Sequence, residues 1–343
     1  FGFQAYRYFR KSWRYKRVTS NNKFYSIIVG LAVLAYLATA LVDNQYYFFA
    51  GFAILQLMIM ALAWNILGGY VGYVNFGSAA FFGLGAYAAI FVLEYFKADL
   101  FTQIITAGCF SAIVGLATGA LTLRLRGVYF AIATLALLVV SETLILNWDY
   151  VGGAAGAYIL PKRNPTVLGL LIVGKESALF GNYKEMLFFV LCIFALVTIV
   201  ICRLIERSKF GRGLEALRDN EQAAESMGVP TLRLKLIATT ISASIMGFTG
   251  GVFPYYMTFI DPISAFNLDI SVNALAMPLI GGTATWLGPV LGAVVLGTLQ
   301  QIATVTISSE INLLIVGLFL VGFVIFAPDG FLGLIKKFRN RGD

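Results

Sequence analysis

The side chains able to do chemistry inside the apolar stretches of this chain are few: Asn65, Asn75, Ser78, Thr134, Ser141, Glu142, Asn147, Asn273 and Gln300, with Tyr129 at the mouth of one run. A polar group in hydrocarbon is costly, so each of these is a candidate for contact with a solute in transit. Neutral donors and acceptors with a single carboxylate suit a largely apolar zwitterion, which needs contacts weak enough to release it. A strongly charged solute would call for fixed counter-charges. There is no histidine, and Cys109, Cys192 and Cys202 lie in apolar runs without ligand spacing. No metal site, disulfide framework or nucleophilic triad can be argued from such a set, and the expectation is a chain that is not itself an enzyme.

Gly169-Leu-Leu-Ile-Val-Gly174-Lys175 matches the opening of a phosphate-binding loop, but Glu176 stands where the Mg²⁺-binding Ser or Thr belongs. The chain is therefore expected to carry no nucleotide of its own. The second chemically dense stretch is 206–235, where Arg207, Lys209, Arg212 and Arg218 alternate with Glu206, Glu215, Asp219, Glu221 and Glu225. Read as one continuous helix, Leu214, Leu217, Ala224 and Met227 share an arc, and Gly228 with Pro230 ends the run. A helix lying on a membrane would be mostly basic. An apolar ridge edged by both signs of charge suits docking against another protein.

These groups must be positioned by membrane-spanning elements. A 343-residue chain that is 59% hydrophobic and 12% charged has more apolar surface than one globule can bury. Its apolar runs are about 20 residues long without alternation, the length of a helix crossing a core of about 30 Å. Ten spans are predicted, at 25–42, 46–67, 79–96, 101–123, 129–148, 186–204, 236–257, 270–280, 289–305 and 311–327. The eighth is short and contains Pro278, and the Gly68 to Gly85 stretch could be re-entrant. Glycines four apart, Gly68/Gly72, Gly115/Gly119, Gly247/Gly251 and Gly288/Gly292, are expected to let helices pack closely.

Arg7, Arg10, Lys11, Arg14, Lys16, Arg17 and Lys23 place the 1–24 tail in the cytoplasm, and Lys336, Lys337, Arg339 and Arg341 place 328–343 there too. The domain reading is two basic tails flanking a transmembrane domain at 25–327. The +8 net charge is then orientation charge, with anionic lipid rather than nucleic acid as its partner. The chain opens on Phe1, so a few residues are expected to precede it; the basic tail does not read as a signal peptide.

Five stretches, in order, resemble the branched-chain amino acid permeases of the LivM type, a family of ATP-binding-cassette importer subunits. They are Asn75-Phe-Gly-Ser-Ala-Ala-Phe-Phe-Gly-Leu-Gly-Ala-Tyr87, Leu125-Arg-Gly-Val-Tyr-Phe-Ala-Ile-Ala-Thr-Leu135, Ser208 through Gly228, Gly281-Gly-Thr-Ala-Thr-Trp-Leu-Gly-Pro-Val-Leu-Gly-Ala293 and Ala327-Pro-Asp-Gly-Phe-Leu-Gly333. The resemblance implies an all-α polytopic permease in a bacterial inner membrane. It also implies a second homologous permease, two cytoplasmic ATPases that hold the ATP and Mg²⁺, and an extracytoplasmic solute-binding protein. Leu214, Glu215, Leu217, Arg218, Glu221, Ala223, Ala224, Glu225 and Gly228 would form the ATPase-coupling segment.

The chain departs from the family pattern where solutes are chosen. Val139 and Glu142 stand where members carry Glu and Arg, Ser78 replaces a histidine, and Gly152-Gly-Ala-Ala-Gly156 replaces a Gly-Gly-Pro-Asn-Gly loop. Branched-chain or other hydrophobic amino acids are the expected solutes, with urea or short amides as the alternative. An ion-coupled secondary carrier is the reading from another class.

Overall fold

The computed structural model describes residues 24–37, 39, 44–125, 127–159, 166–167, 170–171 and 183–306, with isolated positions at 314, 317–319, 321–322, 330–331 and 333. The basic tails at 1–23 and 334–343, most of the tenth span, and most of the phosphate-loop lookalike lie outside the described residues.

The helices are α1 (Phe24–Leu37), α2 (Gln45–Gly68), α3 (Ser78–Phe96), α4 (Leu100–Thr122), α5 (Val128–Leu146), α6 (Tyr183–Arg207), α7 (Lys209–Asp219), α8 (Glu221–Ser226), α9 (Thr231–Met257), α10 (Pro262–Ala265), α11 (Leu268–Gly281) and α12 (Leu287–Thr306). Among the described residues eight helical stretches are long and apolar enough to cross a bilayer, α10 and α11 being taken together. Two antiparallel pairs of two-residue strands complete the fold: β1 (Ala157–Tyr158) with β4 (Phe259–Ile260), and β2 (Thr166–Val167) with β3 (Leu170–Leu171). The chain is an all-α polytopic membrane protein.

The helices alternate in direction. α1 starts where the Arg203 guanidinium near the end of α6 lies 3.5 Å from the centre of the Phe24 ring. α2, α4, α6 and α11 end on that side, and α3, α5, α9 and α12 start there. Arg124, Arg203, Arg207, Lys209, Arg212, Arg218, Arg233 and Lys235 gather at this end with α7 and α8, outnumbering Glu206, Glu215, Asp219, Glu221 and Glu225 there, whereas at the other end Glu94, Asp99, Asp149, Glu185 and Asp261 outnumber Lys97 and Lys184 among the described residues.

α9 is the centre of the bundle, packed between α3 and α4 and against α2, with 67% of its most apolar stretch buried. Small residues allow this: a Cβ on Gly85, Gly247 or Gly250 would strike the backbone of the facing helix, and Gly288 and Gly292 do the same between α11 and α12. Gly68 and Gly72, grouped with these by spacing, are not helix-helix contacts. The structure sets Gly72 in a turn at φ +85° against Arg218.

Besides α6, which runs three residues beyond its expected span at each end, two departures from the sequence expectation bear on the sites. α9 begins at Thr231 rather than 236 because Arg233 and Lys235 belong to the helix, Lys235 being tolerated at 3% exposure by a carboxylate partner. The break near the eighth span is not at Pro278, which sits within α11, but at Phe266 and Asn267, where the Asn267 side chain accepts the Asp269 N–H and starts a new helix. α11 is 14 residues, about 21 Å, so it does not span alone. Phe266 stacks on Tyr87 midway along α3, and the Ala79 N–H donates to Ser271 Oγ at 2.9 Å. The 258–267 segment thus dips into the bundle.

Candidate coupling and translocation sites

The charged stretch after α6 folds as two short helices rather than one. Ser208 Oγ accepts the Gly211 N–H at 3.0 Å to start α7, and Asn220 Oδ1 accepts the Ala223 N–H at 3.0 Å to start α8. The break at Asn220 redirects the ridge read from a continuous helix. Leu214, Leu217 and Ala224 are buried against this chain's own bundle, while Met227 swings out to 85% exposure. The face left open around α8 carries Gln222, Ala223, Ser226, Met227 and Gly228, with Glu215 and Arg218 exposed on α7. Gly228 has φ +81°, the left-handed conformation that closes a helix cheaply only with glycine.

What holds this segment to the membrane helices is a buried polar joint. Lys235 Nζ donates to Glu221 Oε1 at 2.7 Å, to Tyr73 Oη at 3.0 Å and to the Leu123 carbonyl at 3.4 Å, using all three ammonium donors. Tyr73 in turn donates to Glu221 Oε2 at 2.7 Å. Burial pushes the Tyr73 phenol above its ordinary pKa, so it remains a donor at neutral pH. One cluster therefore ties the first residue of α8, the first turn of α9, the end of α4 and the 69–77 turn. Glu221 was grouped with residues presented to a partner; its carboxylate is turned inward to Lys235.

Two further contacts press on the same turn. Arg218 donates to the Gly69 carbonyl at 3.3 Å and lies over Gly72. Glu206 accepts from Tyr70 Oη at 2.8 Å and from the Trp286 N–H, linking α6 to the turn before α12. Gly72→Ala places a Cβ 3.1 Å from Arg218 Cγ at a left-handed φ, so a loss of about 1 kcal/mol is expected, read as a shorter thermal half-life in detergent.

The sequence-selected pathway residues divide into three groups. Asn75 and Thr134 meet where the 69–77 turn inserts against α5, with Ser78 opening α3 just beyond: Asn75 Oδ1 accepts the Gly77 N–H at 2.8 Å, and Thr134 Oγ1 accepts the Phe76 N–H at 3.1 Å. Ser78 Oγ is fully buried without a hydrogen-bond partner. Asn273 is turned away, its Oδ1 accepting Gln300 Nε2 at 2.8 Å between α11 and α12. Tyr129 and Glu142 lie along α5, the least covered of the spanning helices at 28% buried. Tyr129 is 73% exposed, and Glu142 is half-buried at the rim of an open face with Ile132, Val139 and Leu144.

Sequence reasoning missed Tyr73 and Lys235. Lys235 was visible only as the end of a charged loop, and nothing in a linear reading joins it to a tyrosine 162 positions earlier.

The family model described as "Branched-chain amino acid transport system / permease component" matches residues 46–324. The chain belongs to that permease family. It is similar to the high-affinity branched-chain amino acid transport system permease protein LivM of Escherichia coli (strain K12), 30% identical over 301 residues, 82% of this chain and 70% of the relative. It is also similar to the probable branched-chain amino acid transport permease protein LivH of Methanocaldococcus jannaschii, 24% identical over 294 residues, 83% of this chain and 91% of the relative. A shorter match, 28% over 102 residues, is to the L-arabinose ABC transporter permease protein AraH of Azospirillum brasilense, covering 29% of this chain and 30% of the relative. No solved structure matches the chain. As an ABC importer permease, the chain is a multi-pass membrane subunit whose α7–α8 segment corresponds to the stretch singled out for coupling.

Proposed function

We propose that this permease forms one half of the transmembrane path of an ATP-driven importer for branched-chain or other hydrophobic amino acids in a bacterial inner membrane. ATPase subunits, holding ATP and Mg²⁺, seat on the open face of α7 and α8. A second homologous permease covers the open face of α5, and a solute-binding protein delivers from the opposite end. The clustering of cations at the α7–α8 end supports a cytoplasmic assignment for it.

The observation that carries the proposal is the buried Lys235–Glu221–Tyr73 joint. It makes the α7–α8 segment one body with α9, the end of α4 and the 69–77 turn, so a push on α8 reaches the turn that contacts α5 through Phe76 and Thr134. Solute preference is supported by the relatives' printed names and by a scarcely charged bundle.

The first test is gentle purification from native membranes with mass spectrometry of what accompanies the chain. Two ATPases and a second polytopic subunit are expected; a chain recovered alone and transporting by itself would favour a carrier. Glu142→Gln is the residue-level test. In proteoliposomes holding the whole complex, leucine uptake is expected to fall about tenfold while ATP dependence persists, since a hydrogen bond to a charged group is worth that order. Loss of proton or sodium coupling with uptake intact would identify a carrier instead.

A further inference from the structure

A cavity of about 900 Å³ opens at the end of the bundle away from α7 and α8. Its walls are the last turns of α3 and the 149–159 segment after α5, and among its lining residues are Ile90, Glu94, Tyr95, Asp149, Tyr150 and Tyr158. The volume falls in the range of small-molecule pockets, several times that of one amino acid. Glu94 and Asp149 carry no ion pair with any described residue, and no described lining residue is basic.

The aromatic rings form a framed set. Tyr95 and Tyr150 have centroids 6.2 Å apart, Phe91 packs on Tyr95 at 4.8 Å and on Trp148 at 5.8 Å, and Tyr158 packs on Phe259 at 4.5 Å. The floor is fixed: β1 pairs with β4, and the Ile159 N–H donates to the Thr258 carbonyl at 2.8 Å. Gly156 at φ +72° meets the Ile260 carbonyl so closely that no side chain fits.

Further inward on α3 lies a buried polar group outside the cavity lining. Tyr87 lies one turn inward from Ile90 on α3, its ring stacked on Phe266, and its hydroxyl is buried with no hydrogen-bond partner. A buried hydroxyl is seldom left unpaired unless something else supplies the bond.

We propose that this cavity is a vestibule that takes the ammonium group of an amino acid arriving from outside, between the Glu94 and Asp149 carboxylates and the faces of Tyr95, Tyr150 and Tyr158. A cation over aromatic faces with unpaired carboxylates nearby is the chemistry that recognises an alkylammonium. The solute's apolar part rests on Ile90 and Leu93, and Tyr87 is the next polar contact inward. A concavity of this volume fits a small molecule. The inference rests on the importer reading and names how its solute is received.

The test uses the complete transporter in nanodiscs without binding protein, with isoamylamine, leucine and 4-methylpentanoate as probes followed by calorimetry. The amine and leucine are expected to bind, and the acid lacking an ammonium is not. Glu94→Gln with Asp149→Asn should weaken isoamylamine about tenfold with thermal half-life unchanged. Tyr87→Phe should leave that binding intact but slow ATP-driven leucine uptake. Unchanged amine affinity in the double variant would overturn the vestibule, as would equal binding of 4-methylpentanoate. Lost capture of the binding protein with amine affinity unchanged would make the face a protein-docking surface instead. Amine binding through Glu94 and Asp149 by a complex that takes up no amino acid would keep the vestibule and overturn the solute reading.

Discussion

Arginine at Ala223 or Met227 is expected to reduce ATP-driven uptake by about 100-fold while leaving the fold intact. Both side chains are exposed on the open face around α8, Met227 at 85%, and neither makes a side-chain contact that holds α8 to the bundle. Surface substitutions of this kind usually change stability by no more than about 0.5 kcal/mol. A docked face behaves differently, because a long cation forced into an apolar contact must be desolvated without a partner, and about 3 kcal/mol lost there is about 100-fold. The measurement is paired: ATPase copurification and leucine uptake should fall together, with thermal half-life in detergent unchanged. Normal uptake in both variants would mean that the ATPases do not seat on this face.

Breaking the joint beneath that face should do something else. Lys235→Met or Glu221→Ala removes one member of a buried ion pair and leaves the other without its counter-charge, a loss of about 3 kcal/mol. Glu221→Lys should be worse, since it sets a second ammonium against Lys235. The double variant Glu221→Leu with Lys235→Met should recover to within about 1 kcal/mol of the parent, because no charge is then left buried. Half-life at fixed temperature is the readout. The double variant also separates structure from coupling: it should keep its fold yet transport poorly, because α8 is no longer tied to Tyr73 and the 69–77 turn. Full transport by the double variant would show that the joint only stabilises the protein.

Much of the architecture was legible from the chain. Runs of about 20 apolar residues without alternation are the length and pattern of helices in lipid, where a helix pairs each backbone polar group within its own segment. Hence α2, α3, α4 and α5 begin and end within about two residues of their expected places. The errors came where a charge or a proline was read without its neighbours. Lys235 looked like loop because an unpaired ammonium cannot enter the bundle, and it enters because Glu221 and Tyr73 meet it there. Pro278 looked like a break, but α11 runs on through it to Gly281, and the chain breaks instead at Phe266 and Asn267, where the Asn267 side chain caps a new helix.

The candidate sites divide along the same line. Segment 206–235 was recognisable from its mixed charge, and Glu142 from its isolation, because both are properties of composition along the chain. Which side chains of that segment face outward was decided by one residue, Asn220, whose cap ends a continuous helix and turns Met227 away from Leu214 and Leu217. Asn75 and Thr134 were visible as polar residues in apolar surroundings, but only their meeting at the 69–77 turn shows that they brace the backbone. By itself, then, the sequence determined the membrane environment, the helical class and the family, all consequences of local hydropathy and motif order. The tertiary structure alone decided the buried joint, the short α11 and the acidic, aromatic cavity at the far end. Each of these depends on residues far apart in the chain whose pairing is set by how the helices pack.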